Sequence, residues 1–199
     1  MLATGAIRSI DFLIGKTILA LETANKLGQI NDLIVNPVKG ELSGLSVQRP
    51  DQSLCLIDYR EIHSFGADAV MVNNDSSVIP VEDSPLKASP LAKNTLTGVT
   101  IVTEGGKLLG QIANIYIHLA PEESPLFYEV RSTLLDKLLG HTLYFPASWG
   151  SALSQDGTRL VVSDDTALKA DKSLIALETR LFGPPVEPDP VVVVRSHGR

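Results

Sequence analysis

Cysteine is almost missing from this chain: Cys55 stands alone in 199 residues. That excludes an internal disulfide framework and any multi-thiolate metal site. Its neighbours Leu54, Leu56 and Ile57 read it as a small buried apolar group rather than a nucleophile. Aromatic residues are scarce too, at 5%, and they are scattered without basic interleaving. No base-stacking platform is therefore read. A basic excess is also lacking. Lys and Arg number 17 against 23 Asp and Glu, for a formal charge of −6 and a pI of about 5.2. The balance argues against a general phosphate-backbone binder, and no direct DNA binding is expected. Divided at residue 90, the first half carries 7 positive and 11 negative groups and the second 10 and 12, so neither half is basic. No apolar run approaches the ~20 residues of a spanning helix. Arg8 and Asp11 interrupt the start before a signal-peptide core forms. The expectation is a cytoplasmic protein without a transmembrane segment, with peripheral membrane association only through a partner.

What is present is 44% hydrophobic residues, enough for one or two small domains. An internal repeat selects two. Leu27-Gly28-Gln29-Ile30 returns as Leu109-Gly110-Gln111-Ile112, at a constant offset in the numbering, with Asp32 and Leu33 answered by Asn114 and Ile115. Gly15 and Gly98 each precede a β-rich run at nearly the same distance from that core motif. Short apolar-alternating runs punctuated by Asn36-Pro37, Lys39-Gly40, Gly105-Gly106 and Asp156-Gly157 predict antiparallel hairpins. Gly28 and Gly110, just ahead of a strand at equivalent places, predict a conformation or close approach that a side chain would obstruct.

The expected organisation is a first module over 1–80, a Pro-rich linker over 81–95 with little to pack, and a second module over 96–166. A C-terminal helix over 167–183 follows, stopped by Gly183-Pro184-Pro185, then a flexible tail over 184–199. Ser132, paired leucines and Gly140 predict a short helix inserted over 131–140. In the tail, Val191, Val192, Val193 and Val194 have the β propensity to add a strand to a sheet edge, in this protein or another.

Chemistry-bearing patterns are few. Gly106-Lys107 lacks the other P-loop positions, and no Gly-x-Gly-x-x-Gly lies between a strand and a helix. His63, His118, His141 and His197 lie far apart, without metal-ligand spacing. There is no Gly-x-Ser-x-Gly elbow. The acidic pairs Glu122-Glu123 and Asp164-Asp165 sit beside expected loops, where solvated carboxylates are common. Neither cofactor, metal nor catalysis is expected.

Gly15-Lys16-Thr17-Ile18, then residues 27–37, then Gly40-Glu41-Leu42-Ser43-Gly44-Leu45-Ser46-Val47, with residues 57–72 as a closing segment, resemble a PRC-barrel domain. The second copy is similar over residues 109–117 and at Phe145-Pro146-Ala147-Ser148. The motif positions that carry the resemblance are Gly15, Leu27, Gly28, Asp32, Pro37, Gly98, Leu109 and Gly110. It implies an all-β fold of two small PRC-type β-barrels in tandem, of the type found in the photosynthetic reaction-centre H subunit and the C-terminal domain of the ribosome maturation factor RimM. It also implies protein docking without shared catalytic residues. The expected function is a non-catalytic adaptor or scaffold on a larger complex, with Leu134, Leu135, Leu138, Leu139 and the four valines as contact residues. The alternatives are a ribosome-assembly or RNA-processing accessory and a small-molecule sensor using the inter-module cleft.

Overall fold

Short runs of β-branched and aliphatic residues between turn formers wind here into strands, as the alternation requires. A computed structural model of the chain describes residues 7–119, 124–132, 142–183 and 192–193. The first module contains β2 (Thr17–Ala20), β3 (Lys26–Asn36), β4 (Glu41–Gln48), β5 (Leu54–Asp58), β6 (Ile62–Phe65), β7 (Ala69–Val72) and β8 (Ile79–Pro80), preceded by β1 (Ile7–Ser9). The second contains β9 (Thr100–Thr103), β10 (Leu108–His118), β11 (Leu126–Arg131), β12 (Thr142–Pro146), β13 (Gly150–Leu153) and β14 (Arg159–Val162). Two helices, α1 (Thr166–Lys169) and α2 (Leu174–Phe182), and a last strand, β15 (Val192–Val193), complete the order.

The two sheets have one topology. Strands run β6-β7-β2-β3-β4-β5 in the first and β13-β14-β9-β10-β11-β12 in the second. In each, a single parallel pair, β2 with β7 and β9 with β14, interrupts an antiparallel ladder. Irregularities recur at matching places, between Ile30 and Asp32 on β3 and between Ile112 and Asn114 on β10. The repeat in sequence is thus a repeat in structure.

Two sheets, and not two hydrogen-bonded closed barrels, are what these strands form. Among the described residues β5 and β6 do not pair with each other, nor do β12 and β13. The reason is local. A one-turn 3-10 helix joins each pair, Tyr59–Glu61 and Ala147–Trp149, in place of a tight hairpin, so the consecutive strands leave it without a shared ladder.

The core does not divide at the linker. One continuous buried cluster takes Leu33, Leu45 and Ile57 from the first module and Ile101, Ile115 and Phe145 from the second. It also takes Ala92 from the expected linker and Leu96 immediately after it, both fully buried. The expectation that residues 81–95 pack little therefore needs correction at their C-terminal end. Ala92–Leu96 forms a single π-helical turn that sets Ala92 and Leu96 toward the core, while Val35 donates its N–H to the Pro90 carbonyl at 3.0 Å.

The helix expected over 167–183 is two helices. Between them Asp171 exchanges backbone hydrogen bonds with Tyr144 on β12, at 2.7 and 2.9 Å, which holds the chain extended there. Gly183, at φ +82°, ends α2. The helix expected over 131–140, with Leu134, Leu135, Leu138 and Leu139, lies outside the described residues beyond Ser132, as do Val191 and Val194. Val192 and Val193 are in β15, antiparallel to β6.

Candidate interaction surfaces

The contact between modules is reciprocal. Ser9 in β1 is paired with Tyr116 on β10 of the other module, and Leu91, the repeat equivalent of Ser9, is paired with Ile34 on β3, the repeat equivalent of Tyr116. Each lead-in segment thus lies on the long strand of the opposite copy. Asp11 and Lys93, equivalent by the same offset, join the two lead-ins directly through a 2.7 Å ion pair. Both side chains are more than half exposed, so the pair contributes little stability, but it marks the pseudo-two-fold axis. Near that axis Leu126 donates its N–H to Gly40 and Leu42 its N–H to Ser124, at 2.8 and 3.2 Å.

Asp32 is the polar centre of this seam. Its carboxylate is fully buried and accepts three backbone N–H bonds, from Leu33 at 2.7 Å, Lys93 at 3.0 Å and Asn94 at 3.0 Å. A buried carboxylate is tolerated because these amides satisfy it, and it in turn caps the first turn of Ala92–Leu96. Asn114 takes the equivalent place. Its Oδ1 accepts from Ile115 at 2.8 Å and from the Ser9 hydroxyl at 3.4 Å, so the same irregularity in β10 is held by a neutral side chain.

The other motif residues support the strands. Gly28 and Gly110 sit at φ +155° and +147°, and a Cβ there would stand 2.5 Å from the Gln48 carbonyl oxygen and 2.3 Å from that of Arg131. Only glycine lets β3 and β10 pass this close to the ends of β4 and β11. Gly15 and Gly98 donate N–H bonds to Ile30 and Ile112, both at 2.8 Å. Leu27 and Leu109 are buried in the shared core. Pro37 is buried, with its carbonyl oxygen 3.2 Å from where a Cβ on Gly150 would lie. These eight residues do not converge on one pocket; they shape strands and seam.

Several of the described ionisable groups have local partners. Asp164 is held below the usual carboxylate range by hydrogen bonds from Thr103 and from the Gly105 backbone, where it braces the hairpin tip. Asp165 is lowered by its bond from Lys169, then by Ser163. Glu129 is buried and accepts from the Tyr116 hydroxyl at 2.8 Å and from Arg131 Nε at 2.8 Å. Burial and that hydrogen bond to Glu129 push the Tyr116 hydroxyl up to about 12. Cys55 is buried. His118 stacks on Phe182 with ring centroids 3.9 Å apart; His141, His197 and Glu122-Glu123 lie outside the described residues. Among the described residues no three His, Cys, Asp or Glu side chains converge as metal ligands, and no helix is long and apolar enough to cross a membrane.

Two surface features stand out among the described residues. On α1 and α2, Leu168 is 89% exposed and Ile175 71%, while Leu177 on the opposite face is fully buried beside Ile7 and Phe127. The other is the sheet edge. Val192 is paired with Phe65 and Val193 with Ser64, so the tail has already added a strand to β6. Reading the repeat offset backward past Gly15 would have exposed the opposite charges of Asp11 and Lys93; no sequence signal shows which edge the tail takes. Compared with known proteins, the chain matches no family model and no curated protein.

Proposed function

We propose that the chain is a tandem pair of PRC-type barrel modules acting as a non-catalytic adaptor that docks on a larger complex, such as a membrane-bound photosynthetic assembly. The observation that carries this reading is β15: a segment more than a hundred residues away in sequence is held on β6 by main-chain pairing. An edge that takes an extended strand is a means of recognition by β-augmentation, with affinity from the backbone and selectivity from alternate side chains. The exposed apolar residues of α1 and α2 supply a second contact area. The seam favours scaffolding as well, because the shared core and the reciprocal lead-ins hold the two modules in one orientation.

Affinity purification from native cells under gentle conditions, with crosslinking, tests the proposal. A defined set of co-purifying subunits is expected, and recovery of the chain alone would count against it. Salt-dependent recovery of ribosomal particles would instead favour the ribosome-assembly alternative.

A further inference from the structure

β6 and β13 are equivalent in the repeat, and their pairing shows it residue by residue. Ile62, Ser64 and Phe65 oppose Val72, Met71 and Val70. Gly150, Ala152 and Leu153 oppose Val162, Val161 and Leu160, with the irregularity at the same step. On β6 the Gly66 N–H points inward to Ala69 at 2.8 Å, so the pleat turns the Phe65 N–H and C=O outward, where Val192 pairs with them. On β13 the Ser154 N–H points inward to Arg159 at 2.9 Å. The N–H and C=O of Leu153 therefore face outward in the same way. Among the described residues β13 is the last strand of its sheet and has no neighbour on that side. At the equivalent positions Ser64 is buried and Ala152 exposed, while Phe65 is buried in the core and Leu153 half-buried against it. An open edge of this kind is one that folded proteins usually cover or blunt.

We propose that β13 is the docking edge for a partner protein's extended segment of consecutive β-branched apolar residues, the residue types of the tail strand whose main chain pairs with the equivalent edge. The proposal rests on the adaptor reading and names its partner class and contact strand. The partner segment runs antiparallel to β13, its hydrogen-bonded pair formed with Leu153. The chain's own tail holds the β6 edge and leaves β13 to the incoming strand.

The test uses the full chain, isotope-labelled for amide spectra, and as probe a synthetic peptide copying residues 187–196. Saturable shifts at Ser151, Ala152 and Leu153 are expected, with Ser64 and Phe65 unmoved. The same peptide N-methylated at the position of Val192 loses one main-chain donor and is expected to bind at least about tenfold more weakly. This control leaves the protein itself untouched. No binding up to millimolar peptide overturns the proposal, and so does equal binding of the N-methylated peptide. Shifts confined to Ser64 and Phe65 overturn it too, since they mean exchange with the chain's own tail. Concentration-dependent dimerisation of the full chain with shifts at Leu153 would make a second copy the occupant and overturn it likewise. Native co-purification can still succeed through the α1 and α2 face if β13 fails, which keeps the two readings distinguishable.

Discussion

Asp32 links the sequence motif, the irregularity in β3 and the seam between the modules, so its replacement tests all three at once. In Asp32→Ala three backbone amides lose their acceptor, two of them on the Ala92–Leu96 turn. A hydrogen bond to a charged acceptor contributes about 1.5 kcal/mol or more, and the site is closed to replacement water. The two seam bonds thus sum to about 3 kcal/mol, and the Leu33 bond brings the loss to about 4.5 kcal/mol. That is a large share of the ~5–15 kcal/mol that holds a typical domain folded. In Asp32→Asn the Oδ1 bonds to Leu33 and Lys93 persist, and the Asn94 bond is lost to an amide group facing an amide. The expected cost is that of one such bond, about 1.5 kcal/mol. A modest penalty is consistent with the Asn that stands at position 114. Urea unfolding followed by Trp149 fluorescence provides the assay. Trp149 is the single tryptophan and belongs to the second module, stacked on Phe145 with centroids 6.0 Å apart. If the core is shared, a change in the first module must move the Trp149 transition. With an m-value of about 2 kcal/mol/M, Asp32→Ala should lower the midpoint by about 2 M and Asp32→Asn by less than half of that. A shift below about 0.5 M for the alanine variant, or an asparagine variant as unstable as the alanine one, would refute the reasoning.

Gly28→Ala and Gly110→Ala should each cost at least about 2 kcal/mol, by a carbonyl clash added to positive-φ strain, with matched losses in thermal melts. Gly15→Ala, with nothing within 4 Å of the added Cβ, should cost only about 1 kcal/mol. Tyr116, Tyr128 and Tyr144 all have hydroxyls raised by desolvation, Tyr116 to about 12, so the native fold retains their protons. The contribution of Tyr116 is complete below the ordinary tyrosine value near 10 and is lost as pH rises through about 12. In the ultraviolet titration of the native protein at pH 10.5 Tyr116 and Tyr128 should remain un-ionised until the chain unfolds, whereas early ionisation of all four tyrosines would show the burial to be wrong. Val192→Pro should remove the tail strand and speed hydrogen exchange at the Phe65 amide while leaving the melting temperature within about 2 °C.

The repeat was legible because a strand pair needs the same residue types wherever it occurs. Gly28 and Gly110 recur since no side chain fits below the Gln48 and Arg131 carbonyls, and Asp32 and Asn114 since either can bind the next amide in the irregular strand. Alternation and turn residues likewise marked most strands. By contrast, the polar, proline-broken stretch before Ala92 suggested a loose tether, because nothing in its composition shows that Ala92 and Leu96 meet a surface on the other module. Asp171 hid the break between α1 and α2 for the same reason, its partner Tyr144 being distant in the chain.

By itself, then, the sequence determined an all-β chain of two like units, since periodicity and turn chemistry are local and are written twice. The tertiary structure decided that the units share one core through exchanged lead-ins and that the tail strand takes the β6 edge, while among the described residues the sheets do not close and β13 has no outer neighbour. Those are contacts between segments far apart in the chain. Their stability comes from apolar surface and backbone groups brought together in space, and neither is encoded by spacing along a single run of residues.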